Sequence, residues 1–128
     1  MSVFQRLHHA ATQVLPRAYA PYSKYPVAAA GLDTQGIVHT GVNIENASYG
    51  LTQCAELSLI AAWRMAAGAP LTHLVCLNAQ GDYITPCGRC RQVLFEHAPA
   101  ELTIATITGS ITLNDLLPHA FGPHNLQD

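Results

Sequence analysis

The sequence predicts one three-layer α/β domain with a mixed sheet, spanning residues 1–128. Three observations carry this expectation. Strand-like apolar runs alternate with helical patterns along the chain. Two of the runs flank the turn Asp33-Thr34-Gln35-Gly36 and read as a hairpin, which makes the sheet mixed. A length of 128 residues allows one real core and is too short for two.

The elements follow in order. Val3, Phe4, Leu7, Ala10, Ala11, Val14 and Leu15 recur at helical spacing, so residues 3–15 form an amphipathic helix that ends at Pro16 and the Pro21-Tyr22-Ser23 turn. The runs PVAAAGL (26–32) and IVHTGVN (37–43) form the hairpin strands, and the polar loop IENASYGLT comes next. Residues Cys54 to Ala67 are apolar on most sides and read as a buried helix containing Trp63 and Met65, with Thr52 as N-cap and Gly68 as stop. HLVCLNA (73–79) is a buried strand that places Cys76 in the core, and QGD turns the chain after it. Gly88 to about His97 is a third helix, LTIATIT (102–108) a further strand, and Leu113 to Leu117 a short helix.

Composition excludes several functions. Six Lys plus Arg stand against eight Asp plus Glu, a formal charge of -2. No basic stripe is available to neutralise phosphates, so a nucleic-acid partner is not expected. No apolar run reaches the roughly 18 residues of a membrane span. The segment MSVFQRLHHAATQ lacks the apolar core of a secretory signal, so a cytoplasmic location is expected. Charged residues make up only 11% of the chain, where about 25% is usual. Such sparse charge predicts that part of the surface is buried in an oligomer. For a cytosolic chain, its four cysteines point to metal or thiol chemistry rather than disulfides.

The segment PCGRCRQ (86–92) holds Cys87 and Cys90 at the start of a predicted helix, with Arg89 between them. Cys54 begins another helix, and Glu56 lies two residues on. Helix N-termini carry unpaired N–H groups and partial positive charge, which favour thiolate. Three thiolates brought together would hold zinc with its fourth position open, the arrangement of a catalytic site. Glu56 would be the carboxylate beside it. Two other readings remain open: a CxxC thiol oxidoreductase, and a non-catalytic zinc module with His73 or His97 as fourth ligand.

The pattern CAE…PCxxCRQ resembles the zinc nucleoside and nucleobase deaminases, a signature class in which the first ligand is His or Cys. PYSKYPVAAA, NIENASYGLTQCAE, PCGRCRQVLFEH and LLPHAFGP occur in the order found in small, all-cysteine cytidine deaminases, so the resemblance covers nearly the whole chain. It implies a three-layer α/β/α fold with a mixed sheet of about five strands. It also implies one zinc per chain held by Cys54, Cys87 and Cys90, with Glu56 moving protons. Asn43 and Glu45 match the residues that bind the ribose hydroxyl, and Ala55 the backbone N–H that contacts the base carbonyl. Tyr25 stands where the family usually has a Phe beside the base, and Ala28 where it has a Gly. Tyr49 matches a subunit-boundary tyrosine. Phe121 matches the residue that stacks on the base from a neighbouring subunit of a homotetramer.

Most relatives carry Arg directly after the catalytic Glu, where this chain has Leu57, and a small residue where it has Arg89. Zinc with three thiolates bears a net negative charge that weakens it as a Lewis acid. Arg89 is therefore the expected balancing cation, hydrogen-bonding the sulfurs. The implied function is hydrolytic deamination of cytidine and deoxycytidine in pyrimidine salvage. A modified cytosine nucleoside such as blasticidin S is the alternative substrate, since a CGRC segment recurs in its deaminases.

Overall fold

The computed structural model describes residues 1–127; Asp128, the last residue of the expected domain, lies outside them. Its helices are α1 (Val3–Val14), α2 (Ala55–Met65), α3 (Gly88–His97) and α4 (Leu113–Leu116). Its strands are β1 (Ala28–Asp33), β2 (Val38–Val42), β3 (Leu71–Leu77), β4 (Thr103–Thr106) and β5 (Gly109–Thr112). They form one sheet in the order β2-β1-β3-β4-β5. β3 and β4 pair in parallel, and every other neighbouring pair is antiparallel. The mixed sheet expected from the hairpin is present.

This order fixes where the helices begin. β2 and β3 both run antiparallel to β1, and are therefore parallel to each other; β4 runs with β3. The crossovers β2–α2–β3 and β3–α3–β4 step across the sheet in the same direction. Right-handed crossovers then place α2 and α3 on one face, with their N-termini at one sheet edge.

Side-chain alternation separates the two faces. Ala28, Ala30, Val75, Leu77 and Ala105 pack with Leu7 and Ala11 of α1. Ala29, Leu74, Cys76 and Ile104 pack with Leu59 and Trp63 of α2 and Leu94 of α3. The result is the α/β/α sandwich. At Gly41 a Cβ would overlap the backbone of Ala55 and Leu59. Strand β2 thus meets the first turns of α2 main chain to main chain, which glycine alone permits.

Several boundaries depart from expectation. Cys54, not Thr52, is the N-cap of α2. Gly68 stops that helix for a different reason than its conformational freedom. Ala67 takes the left-handed conformation (φ 51°). Ala67 N–H then bonds Arg64 O at 3.0 Å and Gly68 N–H bonds Trp63 O at 2.9 Å, a double closure of the helix end. Gly68 is required because the Trp63 ring lies where its Cβ would be. Trp63 packs as expected, and its Nε1 donates to Ala69 O at 2.7 Å. Met65 does not: it is 87% exposed, on the outer side of the helix. The run 102–108 divides. β4 ends at Thr106, and β5 pairs back from Gly109 around the Ile107-Thr108 turn. That strand escaped the sequence reading because GSIT is short and half polar.

The hairpin turn is organised by Asp33, whose side chain is 1% exposed. Its Oδ1 accepts from Gln35 N at 2.9 Å and Ile37 N at 3.0 Å, and its Oδ2 pairs with His39 Nε2 at 2.9 Å. The His39 hydrogen bond, helped by these amides against the cost of burial, holds the carboxyl below its ordinary value of 3.8. A depressed folded pKa contributes stability that is complete above the unfolded value and lost as pH falls through the folded one. Denaturant unfolding of wild type and Asp33→Asn should therefore show wild type more stable at pH 7. That difference should shrink only once pH drops below about 3.8. A gap that is constant from pH 7 to pH 3 would remove the ionised Asp33 from the account.

Candidate metal and active site

Cys54 is the N-cap of α2 and Cys87 the N-cap of α3, while Cys90 lies in the first turn of α3. Because both helices start at one sheet edge, the three sulfurs meet, all within 4.8 Å of one another. Cys90 is buried, Cys54 half-buried and Cys87 exposed, so the cluster opens on the Cys87 side.

Three thiolates about 2.3 Å from a tetrahedral zinc sit about 3.8 Å apart, so small side-chain adjustments would close this cluster around the ion. The chemistry of the donors agrees. Burial raises the Cys54 and Cys90 thiols above their ordinary value of 9.0. Burial acts the same way on Cys87, but hydrogen bonding from the Cys90 main chain and the neighbouring thiols outweighs it, and Cys87 falls below 9.0. Three thiolates therefore coexist here only beside a cation, and a divalent metal is the natural one. Among the described residues this is the one group of three or more potential ligands arranged for a metal. His73 faces the other layer, edge-on to Phe4 of α1 at 5.5 Å. His97 lies in the last turn of α3, far along the helix from the ligand turn. Cys76 is fully buried in the core, as expected.

Glu56 follows Cys54 in the first turn of α2 and is 5% exposed. Burial raises its carboxyl above the ordinary value of 4.5. Its side chain lines an inner cavity of about 180 Å³ together with Val27, Asn43, Thr52, Ala55 and the ligands Cys54 and Cys87. Ile84 and Thr85 complete that wall. An outer cavity of about 440 Å³ adjoins it through Thr52, lined by Tyr22, Ser23, Glu45, Tyr49 and Arg89.

The NIEN residues brace this entrance. Asn43 is buried; its Oδ1 accepts from Val27 N and its Nδ2 donates to Tyr25 O, both at 2.9 Å. Glu45 accepts from Tyr22 N at 3.0 Å, from Ser23 N at 3.1 Å and from the Ser23 hydroxyl. The Ser23 hydroxyl bond is the chief reason its carboxyl lies below the ordinary 4.5, so it is ionised at neutral pH. Together the two side chains tie the Tyr22–Val27 segment to the end of β2.

The remaining residues are spread more widely. Tyr25 is 48% exposed, and Val27, two residues on, forms the inner wall. Tyr49 is exposed and stands edge-on to Tyr22 at 6.1 Å. Phe121 is 61% exposed on the C-terminal segment, away from both cavities of its own chain. Arg89 is exposed and lines the outer cavity; among the described residues it donates no hydrogen bond to a sulfur.

Two neighbouring residues of PCGRCRQ have contacts the sequence reading did not foresee. Arg91 donates through Nε to Pro86 O at 2.7 Å and through Nη1 to Leu116 O at 3.0 Å. Gln92 Nε2 donates to Phe121 O at 2.8 Å. Their signal in the sequence was membership of the PCxxCRQ motif, directly after a cysteine of the cluster. Nothing there shows which carbonyls they reach.

Comparison with known proteins agrees with this geometry. The model of the cytidine and deoxycytidylate deaminase zinc-binding region matches residues 1–106. A cytidine deaminase of Mycobacterium tuberculosis is 48% identical over 116 residues, covering 91% of this chain and 87% of that protein. One from Halalkalibacterium halodurans is 37% identical, covering 97% and 98%. The crystal structure of cytidine deaminase from Mycobacterium leprae superposes with a TM-score of 0.89 at 45% identity, over 93% of this chain and all of that one. With helix-start cysteines converging beside a buried glutamate and these matches across most of its length, the chain belongs to the zinc-binding cytidine and deoxycytidylate deaminase family.

Proposed function

We propose that this protein catalyses the hydrolytic deamination of cytidine and deoxycytidine to uridine, deoxyuridine and ammonia, in pyrimidine salvage. The observation that carries the reading is the buried Glu56 carboxylate facing the same small cavity as Cys54 and Cys87. A thiol oxidoreductase would have no use for Cys54 or Glu56. Among the described residues no helix is long and apolar enough to cross a membrane, and a cytoplasmic location fits the reading. One catalytic domain covers residues 1–128.

Cys54, Cys87 and Cys90 would hold zinc, which when bound supplies a Lewis acid and water acidic enough to react near neutral pH. Glu56 accepts a proton from the attacking water as oxygen adds to C4 of the base. It passes that proton to N3, then takes the proton of the new C4 hydroxyl and gives it to the amino group, so the C4–N bond breaks as the C4 carbonyl forms and ammonia leaves. Burial suits Glu56 to this work, because a carboxylate whose pKa is raised is a stronger base toward the attacking water. The Ala55 N–H, at the first turn of α2, would hold the base carbonyl, and Tyr25 would approach the base from the entrance. Asn43 and Glu45 would bind the ribose hydroxyls while bracing the loop around them. Val27 and Ile84 give the inner wall apolar surface.

We further propose a homotetramer with shared active sites, in which Phe121 covers the base in a neighbouring subunit and Tyr49 lies at the boundary. Tyr22 and Tyr49 line the outer cavity, and with Ile44, Leu51 and Phe121 they are exposed apolar side chains that a monomer would leave wet.

An ultraviolet assay of cytidine, deoxycytidine, cytosine and blasticidin S tests the substrate directly. Turnover of the two nucleosides is expected, and turnover of blasticidin S alone would contradict the reading. Glu56→Gln should retain one zinc per chain and lose at least about 10²- to 10⁴-fold in kcat, since glutamine fills the site without moving protons. A kcat within about tenfold of wild type would remove Glu56 from the mechanism.

Arg89 is proposed to balance the thiolate charge from the rim, where it stands between two ligands. Arg89→Ala should bind zinc less tightly and turn over more slowly while remaining folded. Leu57→Arg in that background should restore part of both, a non-additivity measured by a double-mutant cycle. Equal zinc affinity and kcat in Arg89→Ala and wild type would make Arg89 a surface residue only.

A further inference from the structure

The helix that carries two of the three thiols also holds the C-terminal segment of the chain. Three contacts fasten it. Arg91 Nη1 donates to Leu116 O at 3.0 Å, at the end of α4. Gln92 Nε2 donates to Phe121 O at 2.8 Å. Phe95, one turn further along α3, packs edge-on to His124 with ring centres 6.3 Å apart. A Cβ at Gly122 would come within 3.0 Å of Phe95 Cε1, so the backbone beside Phe121 lies directly on that ring. Residues 116–124 are thus strapped along one side of α3.

The strap does not bury Phe121. Its main-chain oxygen is held by Gln92 while its ring is 61% exposed. His119, two residues earlier, takes a left-handed conformation at φ 53°, which a residue with a Cβ rarely adopts. The chain is therefore bent before Phe121, pinned at its carbonyl and seated on Phe95 just after it. Holding the backbone in this way fixes the direction of the Phe121 Cα–Cβ bond, so the ring starts from one outward-facing point and varies only through its own torsions. Holding it costs less ordering entropy when it meets a partner.

We infer that Gln92 is a positioning residue for substrate binding: by donating to the Phe121 carbonyl it fixes the direction in which the Phe121 ring is presented to a second copy of this chain. The inference rests on the reading that Phe121 covers the base in a neighbouring subunit. It adds that Gln92 serves the base in another subunit, although it belongs to the helix that carries Cys87 and Cys90 in its own.

The test uses the full-length zinc-loaded protein and cytidine. Gln92→Glu keeps the side-chain length but, ionised, accepts hydrogen bonds and cannot donate to a carbonyl. Gln92→Lys returns a donor. Loss of one such hydrogen bond predicts a rise in KM of about two- to tenfold for Gln92→Glu, with kcat and zinc per chain unchanged. Gln92→Lys should recover most of the KM. In a Phe121→Ala background, itself raised in KM, Gln92→Glu should add nothing more. If Gln92→Glu fails to fold, Gln92→Leu replaces it with the same expectation.

Three results would overturn the inference. A raised KM for Phe121→Ala with an unchanged KM for Gln92→Glu leaves the shared site standing and removes Gln92 from it. An equal effect of Gln92→Glu with and without the Phe121 ring means that Gln92 acts elsewhere. An unchanged KM for Phe121→Ala rejects the shared site, and the role of Gln92 with it.

Discussion

The meeting of two helix N-termini at one sheet edge is the constraint on which the rest of the structure depends. It follows from the strand order. With β2 and β3 on either side of β1, and both crossovers advancing the same way, α2 and α3 have to start side by side. The cysteines need only occupy the N-cap of each helix and the first turn of the second to converge. Small residues keep the frame tight. Gly41 lets β2 touch the backbone of α2, and the Ala28–Ala30 run lets helices approach both faces of β1. A bulkier residue at Gly41 would displace the turn that carries Cys54 and Glu56.

Around that fixed centre the polar residues act mostly on the backbone. Asn43 and Glu45 fasten the entrance loop, Arg91 fastens the Pro86 carbonyl beside Cys87, and Gln92 fastens the strap. Each bond holds a loop that carries a different part of the site. Among the described residues only Glu56 is a buried carboxylate lining the inner cavity, which is why we propose the proton chemistry for it. The division is between one reactive side chain and several that hold its surroundings still.

Much of this was legible in the sequence, for physical reasons. Long apolar runs with clear periodicity gave the hairpin, the three main helices and the buried strand with Cys76. The third helix was read at its observed bounds, Gly88–His97. The thiol cluster and Glu56 were legible because few chemistries need CAE and PCxxC together. What escaped lies where local pattern is weak or the partner is remote. Strand β5 has four residues and pairs only with β4. The N-cap of α2 was placed on Thr52 because a hydroxyl is the usual cap; the chain instead puts a sulfur there. The targets of Arg91 and Gln92 are carbonyls 25 and 29 residues away. Nothing in a side chain's identity reveals such a partner. Exposed Met65 was assigned to packing by its composition, although its position turns it outward.

The central claim is that three thiols at two helix starts hold one zinc and leave its fourth position for the reaction. X-ray absorption at the zinc edge of the purified protein tests it most directly. The account predicts one zinc per chain with three sulfur neighbours at about 2.3 Å and a single light atom at about 2.0 Å. Four sulfur neighbours, or a histidine completing a closed shell, would contradict it.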